Sequence, residues 1–249
     1  MERSLEKEEW FASWFDTEWY HILYKDRDLK EAKQFISRLV EELALPISSR
    51  LLDAACGAGR HSLQLNSYGY KVHGFDLSTE SINKAKAYEN PNLEFSVADL
   101  RTFSSKDSFD AIFSFFTSFG YFENHSDSID VLNSFRKVLA PGGIVLIDFM
   151  NSSKNIANLV SSEVKSVDEI DFKITREVLD SRIVKSIEFE DKGKKHSFYE
   201  KVSAYTLEDF ENMLDEAGLA IKKLYGSYLL DDFSEDSSSR LIILAEQKS

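Results

Sequence analysis

The sequence is poor in three features, and each scarcity limits what the chain can be. Its one cysteine, Cys56, cannot form an internal disulfide, which favours a reducing compartment. No uninterrupted apolar run reaches about 18 residues, so no transmembrane helix is predicted. The first residues, MERSLEKEEW, are charged and lack the apolar core of a secretory signal. We therefore expect a cytoplasmic protein with no membrane partner.

Positive charge is also scarce relative to negative charge. Lys and Arg number 30 against 43 Asp and Glu, so the formal net charge is −13. The average field of such a protein repels DNA and RNA. The one candidate basic patch, residues 192–196, has the composition of a solvated hairpin turn. This charge balance predicts no nucleic-acid partner.

What the sequence does contain is an alternation of apolar and amphipathic segments. Apolar residues at helical spacing predict helical structure over residues 5–45. Strands are then predicted at 50–54, 70–75, 93–97, 111–116 and 144–149, and helices at 59–67, 78–88 and 129–139. Such alternation is typical of a parallel sheet covered by helices on both faces. Ligands of these sheets bind beyond the carboxyl ends of the strands.

The pattern changes beyond residue 170. Antiparallel strands are predicted at 171–178, 182–190 and 197–204, a helix at 206–217, and two last strands at 220–228 and 240–247. The first three read as a meander, and we expect two or three of its strands to project from the main sheet.

Acidic residues end the first three predicted strands. Asp53 is followed by the small residues 54–59, which let a ligand approach backbone amides at a helix start; a plain tight turn is the alternative. Asp76 has two acceptor oxygens for the hydroxyls of a ribose, or else caps a helix. Asp99 can accept from the amine of adenine, with the Leu100 amide facing a ring nitrogen, or else serves a turn.

These motifs together resemble the class I S-adenosylmethionine-dependent methyltransferases of the bacterial small-molecule type. The resemblance rests on LLDAACGAGRHS, GFDLS, VADL, FDAIFSFF and LAPGGIVLIDF, over about residues 20–150, with SSRLIILAEQK as the closing strand. It implies an α/β, Rossmann-like, doubly wound seven-stranded sheet whose last strand is antiparallel, with a small antiparallel β insertion after strand five. It also implies S-adenosylmethionine as methyl donor and S-adenosylhomocysteine as product.

The resemblance further implies an organisation and a set of cofactor contacts. The single domain, 1–249, divides into an N-terminal helical lid (1–45), a cofactor-binding core (46–150), a β insertion over the acceptor pocket (152–205), and a closing helix and strands (206–249). The implied cofactor-binding residues are Tyr20, His21, Asp53, Ala55, Gly57, Gly59, Arg60, Asp76, Leu77, Asp99, Leu100 and Phe115.

Within that set the roles differ. The resemblance places Asp53 near the methionine amine, Asp76 at the ribose, Asp99 and Leu100 at the adenine, and Phe115 on the methyl-bearing side. Tyr20, His21 and Arg60 are candidates for the methionine carboxylate; a buried, hydrogen-bonded histidine and a solvent-facing arginine are the alternatives. Ala55 replaces the usual first glycine, a mild departure if its φ is negative.

The sequence offers fewer candidates for residues that contact the methyl acceptor. Thr117 and Tyr121 lie in the aromatic stretch 115–122, whose rings suit a sulfonium or an ammonium, or else pack in the core. Asp148 and Asn151 lie at the end of strand five and are further acceptor candidates. No catalytic residue is assigned and no metal is expected, because no His, Cys and Asp cluster has ligand spacing. Cys56 is interpreted as a small turn residue.

The predicted activity is in-line methyl transfer to a nitrogen or oxygen nucleophile of a small-molecule acceptor, by a monomer or homodimer. A non-catalytic adenosylmethionine-binding module is one alternative, which only turnover distinguishes. An NAD-dependent oxidoreductase is another. It expects a third glycine in GxGxxG, where this turn has Ser62, and it leaves Asp53 and Asp99 unexplained.

Overall fold

The structure is a computed structural model that describes residues 14–25 and 29–248. The predicted helical residues 5–13 and 26–28 lie outside the described residues. The described chain falls into two compact units. The core unit comprises residues 29–158 and 203–248, and the insertion unit comprises residues 14–25 and 159–202. Residues 14–25 thus cluster with the predicted β insertion, whereas residues 29–45 of the predicted lid belong to the core unit.

Strands and helices alternate along the described chain. The strands are β1 Arg50–Ala54, β2 Lys71–Asp76, β3 Leu93–Val97, β4 Phe109–Ser114, β5 Leu139–Met150, β6 Ser162–Val167, β7 Ile170–Leu179, β8 Arg182–Asp191, β9 Lys194–Ser203, β10 Leu219–Tyr225 and β11 Arg240–Gln247. The helices are α1 Glu18–Leu23, α2 Leu29–Leu43, α3 Arg60–Ser67, α4 Thr79–Lys86, α5 His125–Val138, α6 Ser152–Ala157 and α7 Leu207–Glu216.

The core unit is organised around a seven-stranded sheet in the order β10-β11-β5-β4-β1-β2-β3. Strands β1 to β5 pair in parallel, and β11 runs antiparallel to both of its neighbours. The predicted fold class, with its antiparallel last strand, is confirmed. The order reverses between β1 and β4, which is where such sheets open a crevice beyond their carboxyl ends.

Burial explains why the central strands are apolar throughout. Ile112 and Phe113 of β4 and Val145, Leu146 and Ile147 of β5 are at most 1% exposed, because helices cover both faces of the sheet. Strand β5 also begins earlier than predicted, at Leu139, so that it includes the Pro-Gly-Gly segment. Helix α7 begins after Thr206, which forms a capping box with Asp209.

The insertion unit contains a separate four-stranded sheet in the order β6-β7-β8-β9, with β7 antiparallel to both β6 and β8. It has one strand more than the meander predicted. Strand β6, SEVKSV, is mostly exposed, so its sequence lacks the alternation of apolar and polar residues that predicts a strand. The predicted place of this insertion over an acceptor pocket stays a prediction.

Glu200 is the polar centre of the insertion unit. Its Oε1 accepts from Trp14 Nε1 at 2.9 Å and from the Tyr24 hydroxyl at 2.5 Å, and its Oε2 lies 3.4 Å from Lys185 Nζ. These contacts join the N-terminal segment to strands about 160–190 residues away in the sequence. The N-terminal segment and the insertion sheet therefore form one packed unit.

No helix within residues 14–25 and 29–248 combines the length and apolar character needed to cross a membrane.

Candidate active site

The turn after β1 exposes its backbone at the carboxyl edge of the sheet. A Cβ on Gly57 would meet nothing within 4 Å, so open space lies beside this residue. A Cβ on Gly59 would lie 2.7 Å from the Phe95 ring, so glycine is needed there for α3 to pack against β3. The turn is secured to β2 by the Cys56 amide, which donates to the Phe75 carbonyl at 2.9 Å. One glycine thus serves packing, and the other leaves room for a ligand.

Ala55 adopts a φ of +60°, as Gly57 and Gly59 also adopt positive φ. The condition under which alanine is a mild departure, a negative φ, is therefore not met. A side chain in this region costs about 1–2 kcal/mol, because Cβ approaches the following carbonyl oxygen. The turn keeps the shape that the usual glycine would adopt and carries strain instead.

Asp53 is a buried acid with an incomplete set of partners. It is 1% exposed, and its Oδ2 accepts from Ser62 Oγ at 2.5 Å. Its Oδ1 has no hydrogen-bond partner among the described residues. Burial raises the pKa of Asp53 to about 7, against the hydrogen bonds from Ser62 that lower it. A buried oxygen without a donor is unfavourable by about 1–3 kcal/mol, and a cationic ligand group would satisfy it.

Asp76 joins the first two loops of the crevice. Its Oδ2 accepts from the Gly57 amide at 2.8 Å, and its Oδ1 accepts from the Ser78 amide at 2.9 Å. A carboxylate offers several acceptor lone pairs, which suits it to bind hydroxyl donors such as those of a ribose. The alternative role as helix cap belongs instead to Ser78, whose hydroxyl accepts from the Ser81 amide at 3.0 Å.

Apolar side chains stand exposed beside this acid. Leu77 is 37% exposed and Val97, at the end of β3, is 48% exposed. A flat apolar ligand surface placed between the β2 and β3 ends would cover both.

Asp99 is paired with its own neighbour. Arg101 donates to it through Nε at 3.0 Å, Nη2 at 2.5 Å and its backbone amide at 2.8 Å. Burial raises the pKa of Asp99, but the hydrogen bonds from Arg101 outweigh burial and hold it below its usual value. An adenine amine bound here would donate a hydrogen bond to the same carboxylate that accepts from Arg101. The Leu100 carbonyl accepts from Ser134 Oγ at 2.7 Å, which secures this loop to α5.

The turn after β4 carries the residues predicted for the methyl-bearing and acceptor side. Phe115 is 3% exposed and its ring lies 4.5 Å from that of His61. Arg60 lies over the Phe116 ring at 4.7 Å. Phe116 and Thr117 both have φ of +59°, which is unusual for residues that carry a Cβ. Tyr121 lies further along the same segment and is half-buried.

Asp148, at the end of β5, holds this turn. Its Oδ2 accepts from the Phe116 amide at 2.7 Å and from the Tyr228 hydroxyl at 3.0 Å. Its Oδ1 accepts from Arg240 Nε at 2.7 Å, and the Arg240 Nη2 group donates to Thr117 Oγ1 at 2.8 Å. The carboxylate is 1% exposed and has partners on both oxygens. Sequence reasoning missed Arg240 and Tyr228, although a charge that opens the apolar strand RLIILA is a visible signal.

Asn151, the last acceptor candidate, is engaged with the protein itself. Its side-chain amide donates to the carbonyls of Glu235 at 2.7 Å and Ser238 at 3.0 Å, and its oxygen caps α6 at the Lys154 amide. These contacts use both of its donors to secure the loop before β11. Its predicted role toward an acceptor stays a prediction.

Tyr20 and His21 belong to the insertion unit. Both lie on α1, and the Tyr20 ring packs against those of Trp14 at 5.6 Å and Tyr24 at 5.0 Å. Their predicted contact with the methionine carboxylate stays a prediction.

Cys56 is buried, and burial raises its pKa well above the usual value, with the nearby Asp53 adding to the effect. The thiol therefore stays protonated and is a poor nucleophile. Over the described part of the chain, no group of three or more His, Cys, Asp or Glu side chains is arranged to hold a metal ion.

Comparison with known proteins agrees with this geometry. Residues 51–143 match a family model described as a methyltransferase domain. The putative methyltransferase YqeM of Bacillus subtilis is 28% identical over 84% of this chain and 87% of its own length. A dTDP-3-amino-3,4,6-trideoxy-alpha-D-glucopyranose N,N-dimethyltransferase of Streptomyces venezuelae is 27% identical over 83% of this chain and 91% of its own.

The fold has a close counterpart among solved structures. An S-adenosylmethionine-dependent methyltransferase from Clostridium acetobutylicum superposes with a TM-score of 0.77 at 22% identity, covering 96% of this chain and 98% of that one. The matched domain spans β1 to the start of β5 and so contains the crevice with Asp53 and Asp76. The chain therefore carries a methyltransferase domain at residues 51–143, within a fold shared with solved S-adenosylmethionine-dependent methyltransferases.

Proposed function

We propose that this protein transfers the methyl group of S-adenosylmethionine to a nitrogen or oxygen nucleophile of a small molecule, with an amine as the favoured acceptor. The observation that carries the proposal is the unpartnered Oδ1 of the buried Asp53, beside a turn with open backbone at Gly57. A buried carboxylate oxygen without a donor fits the α-ammonium group of the methionine portion. When bound, the sulfonium supplies an activated methyl group.

Each acid at the crevice has a separate task in this proposal. Asp53 accepts from the ammonium group, and Asp76, which the Gly57 and Ser78 amides hold in place, accepts from the ribose hydroxyls. Leu77 and Val97 cover the faces of the adenine, while Asp99 and Leu100 bind its edge. Gly57 allows close approach of the ligand to the backbone. Phe115 excludes water from the methyl-bearing side.

The acceptor end of the crevice has to align the acceptor molecule with the methyl group. Methyl transfer requires the nucleophile, methyl carbon and sulfur to lie in line, and proximity and orientation together contribute roughly 7–11 kcal/mol in favourable cases. An amine needs only to be deprotonated before it attacks, so no strong general base is required. The relative from Streptomyces venezuelae, whose name describes methylation of a sugar amine, supports an amine acceptor.

The structure weighs against an NAD-dependent oxidoreductase. The third glycine of a dinucleotide turn is replaced by Ser62, and its hydroxyl is hydrogen-bonded to Asp53 at 2.5 Å. Glycine could not make that contact. A non-catalytic adenosylmethionine-binding module remains the second candidate, because binding alone does not require turnover. A monomeric or homodimeric state and a cytoplasmic location stay predictions.

Calorimetry with S-adenosylmethionine, S-adenosylhomocysteine and NAD tests the cofactor. We expect the first two ligands to bind and NAD to leave no signal. Binding of NAD alone would contradict the assignment.

A second experiment tests turnover. The protein is incubated with S-adenosylmethionine and the amino sugar named for the Streptomyces venezuelae relative, beside other small amines and their hydroxyl counterparts. Mass spectrometry then follows the gain of a methyl group. Methylation of amines over the matched alcohols is the expected result. Cofactor binding without transfer to any compound of a broad panel would favour the non-catalytic module.

A further inference from the structure

The turn after β4 is held in an uncommon shape by residues distant in sequence. Phe116 and Thr117 both lie in the left-handed region, at φ of +59°. L-residues adopt this region rarely, and two in succession persist only where their surroundings hold them. The Phe116 amide donates to Asp148 Oδ2 at 2.7 Å, and the Thr117 amide donates to the Asp148 carbonyl at 2.9 Å. One residue thus holds both consecutive amides.

Arg240 completes this arrangement from the first position of β11. It donates to Asp148 Oδ1 through Nε at 2.7 Å and to Thr117 Oγ1 through Nη2 at 2.8 Å, and its plane lies 5.5 Å from the Tyr228 ring. The Arg240 side chain is 17% exposed, and the 5.5 Å distance runs from its Cζ atom to the centroid of the Tyr228 ring. A guanidinium can hold two oxygens in a fixed geometry, which a lysine cannot do.

The contact also sets the hydrogen-bonding direction of Thr117. Its hydroxyl oxygen accepts from Arg240, so the hydroxyl proton is left to donate, and no described residue accepts it. Asp148 is meanwhile occupied by Phe116, Tyr228 and Arg240, so its oxygens are poorly available to an acceptor molecule.

We propose that Asp148 and Arg240 are positioning residues, which hold the Phe116–Thr117 turn and present the Thr117 hydroxyl as a hydrogen-bond donor to the methyl acceptor. This inference rests on the proposed function, which places the acceptor at this turn. A nucleophilic amine must keep its lone pair for attack. The partner of Thr117 is therefore an oxygen elsewhere on the acceptor molecule.

Amide hydrogen exchange tests the proposal without an acceptor. The variants Asp148→Asn and Arg240→Gln are compared with wild type, each saturated with S-adenosylhomocysteine. We expect exchange at Phe116 and Thr117 to become about tenfold faster or more, the size of a lost charge-assisted hydrogen bond. Exchange at Cys56 and Gly57 should rise less than exchange at Phe116 and Thr117, and the affinity for S-adenosylmethionine should change by less than about threefold.

Asp110→Asn is the matched control. Asp110 also accepts a backbone amide, that of Arg50 at 2.8 Å, but at the opposite end of the sheet. Its replacement should leave the exchange of Phe116 and Thr117 unaltered. Exchange at Phe116 and Thr117 that rises no more than exchange in the rest of the sheet in Asp148→Asn would overturn the inference.

A rescue experiment separates holding the turn from simple packing. Glycine adopts the left-handed region without the Cβ penalty, so Thr117→Gly should restore most of the lost protection at Phe116 in the Asp148→Asn background. In the wild-type background the same change should give no gain, because it removes the contact with Arg240. If Thr117→Gly changes the exchange of Phe116 equally in the wild-type and Asp148→Asn backgrounds, the positioning role of Asp148 is refuted. Failure of the proposed function would appear separately, as absent adenosylmethionine binding in the wild type.

Discussion

Two buried aspartates at the carboxyl edge of the same sheet have opposite surroundings. Asp53 and Asp148 are each 1% exposed. Asp148 accepts from the Phe116 amide, the Tyr228 hydroxyl and Arg240, so both oxygens are satisfied by the protein. Among the described residues, Asp53 accepts only from Ser62 and has no partner for its second oxygen, and burial raises its pKa to about 7.

The different partners of the two carboxylates indicate different roles, a structural one for Asp148 and a ligand-binding one for Asp53. A buried carboxylate with a complete set of donors acts as a structural centre, and its removal leaves those donors unsatisfied. A buried carboxylate with an open oxygen is unfavourable in the free protein, and a bound cation would make it favourable. Equal burial therefore does not imply an equal role.

Replacing Asp148 by Asn should have the largest effect on stability. The largely buried Arg240 side chain, 17% exposed, would lose its charged partner Asp148, and breaking a buried pair typically costs about 3–5 kcal/mol. Urea denaturation of the variant and the wild type measures the loss. A loss below about 1 kcal/mol would show that the Asp148–Arg240 contact contributes little.

Replacing Asp53 by Asn should instead stabilise the unliganded protein at high pH. The folded pKa of about 7 lies above the ordinary 3.8, so the wild type loses stability as the pH rises from about 4 to about 7. At pH 8 the unliganded Asp53→Asn protein should be more stable, by up to roughly 4 kcal/mol for three pKa units, with no gain at pH 4. Denaturation curves at both pH values check this. A destabilised variant at pH 8 would contradict it.

The affinity for S-adenosylmethionine should depend on pH through the same carboxyl group. Only ionised Asp53 pairs with an ammonium, so binding should strengthen from pH 6 to pH 8 by up to about tenfold for each pH unit below 7. The Asp53→Asn variant should bind more weakly and lose this dependence. Calorimetry at three pH values measures both, and a pH-independent wild type would argue against the pairing.

Replacing Asp76 by Ala should weaken S-adenosylmethionine binding by about 1–3 kcal/mol, if its bonds to the ribose are buried. The variant also removes acceptors for the Gly57 and Ser78 amides. Adenosine lacks the methionine portion but keeps the ribose and the adenine amine, so its binding provides a check on the ribose contact. An unchanged affinity for the cofactor would refute the assigned role.

Ala55→Gly should have the smallest effect. Glycine relieves the strain at φ +60°, but its greater freedom in the unfolded chain offsets about 0.5–1 kcal/mol of the gain. We expect a net stabilisation of at most about 1 kcal/mol and little change in cofactor affinity. A clear destabilisation would show that the Ala55 side chain contributes packing that exceeds its strain.

Much of the core unit could be predicted because its signals are local. The bounds of β1, β3 and β11 agree with the sequence-based ones, since each strand is a short apolar run that turn residues close. The Thr206 cap was visible for the same reason. Strand β6 and helix α6 were missed, because exposed polar segments carry no clear periodicity.

By itself, the sequence determined the alternation that builds the sheet and placed Asp53, Asp76 and Asp99 at the ends of parallel strands. Strand periodicity and turn chemistry act between near neighbours in the chain. Only the tertiary structure decided that Asp148 is satisfied by Arg240, 92 residues away, whereas Asp53 keeps an open oxygen. Hydrogen-bond partners of a buried group depend on which distant segments pack against it, and local pattern carries no record of that.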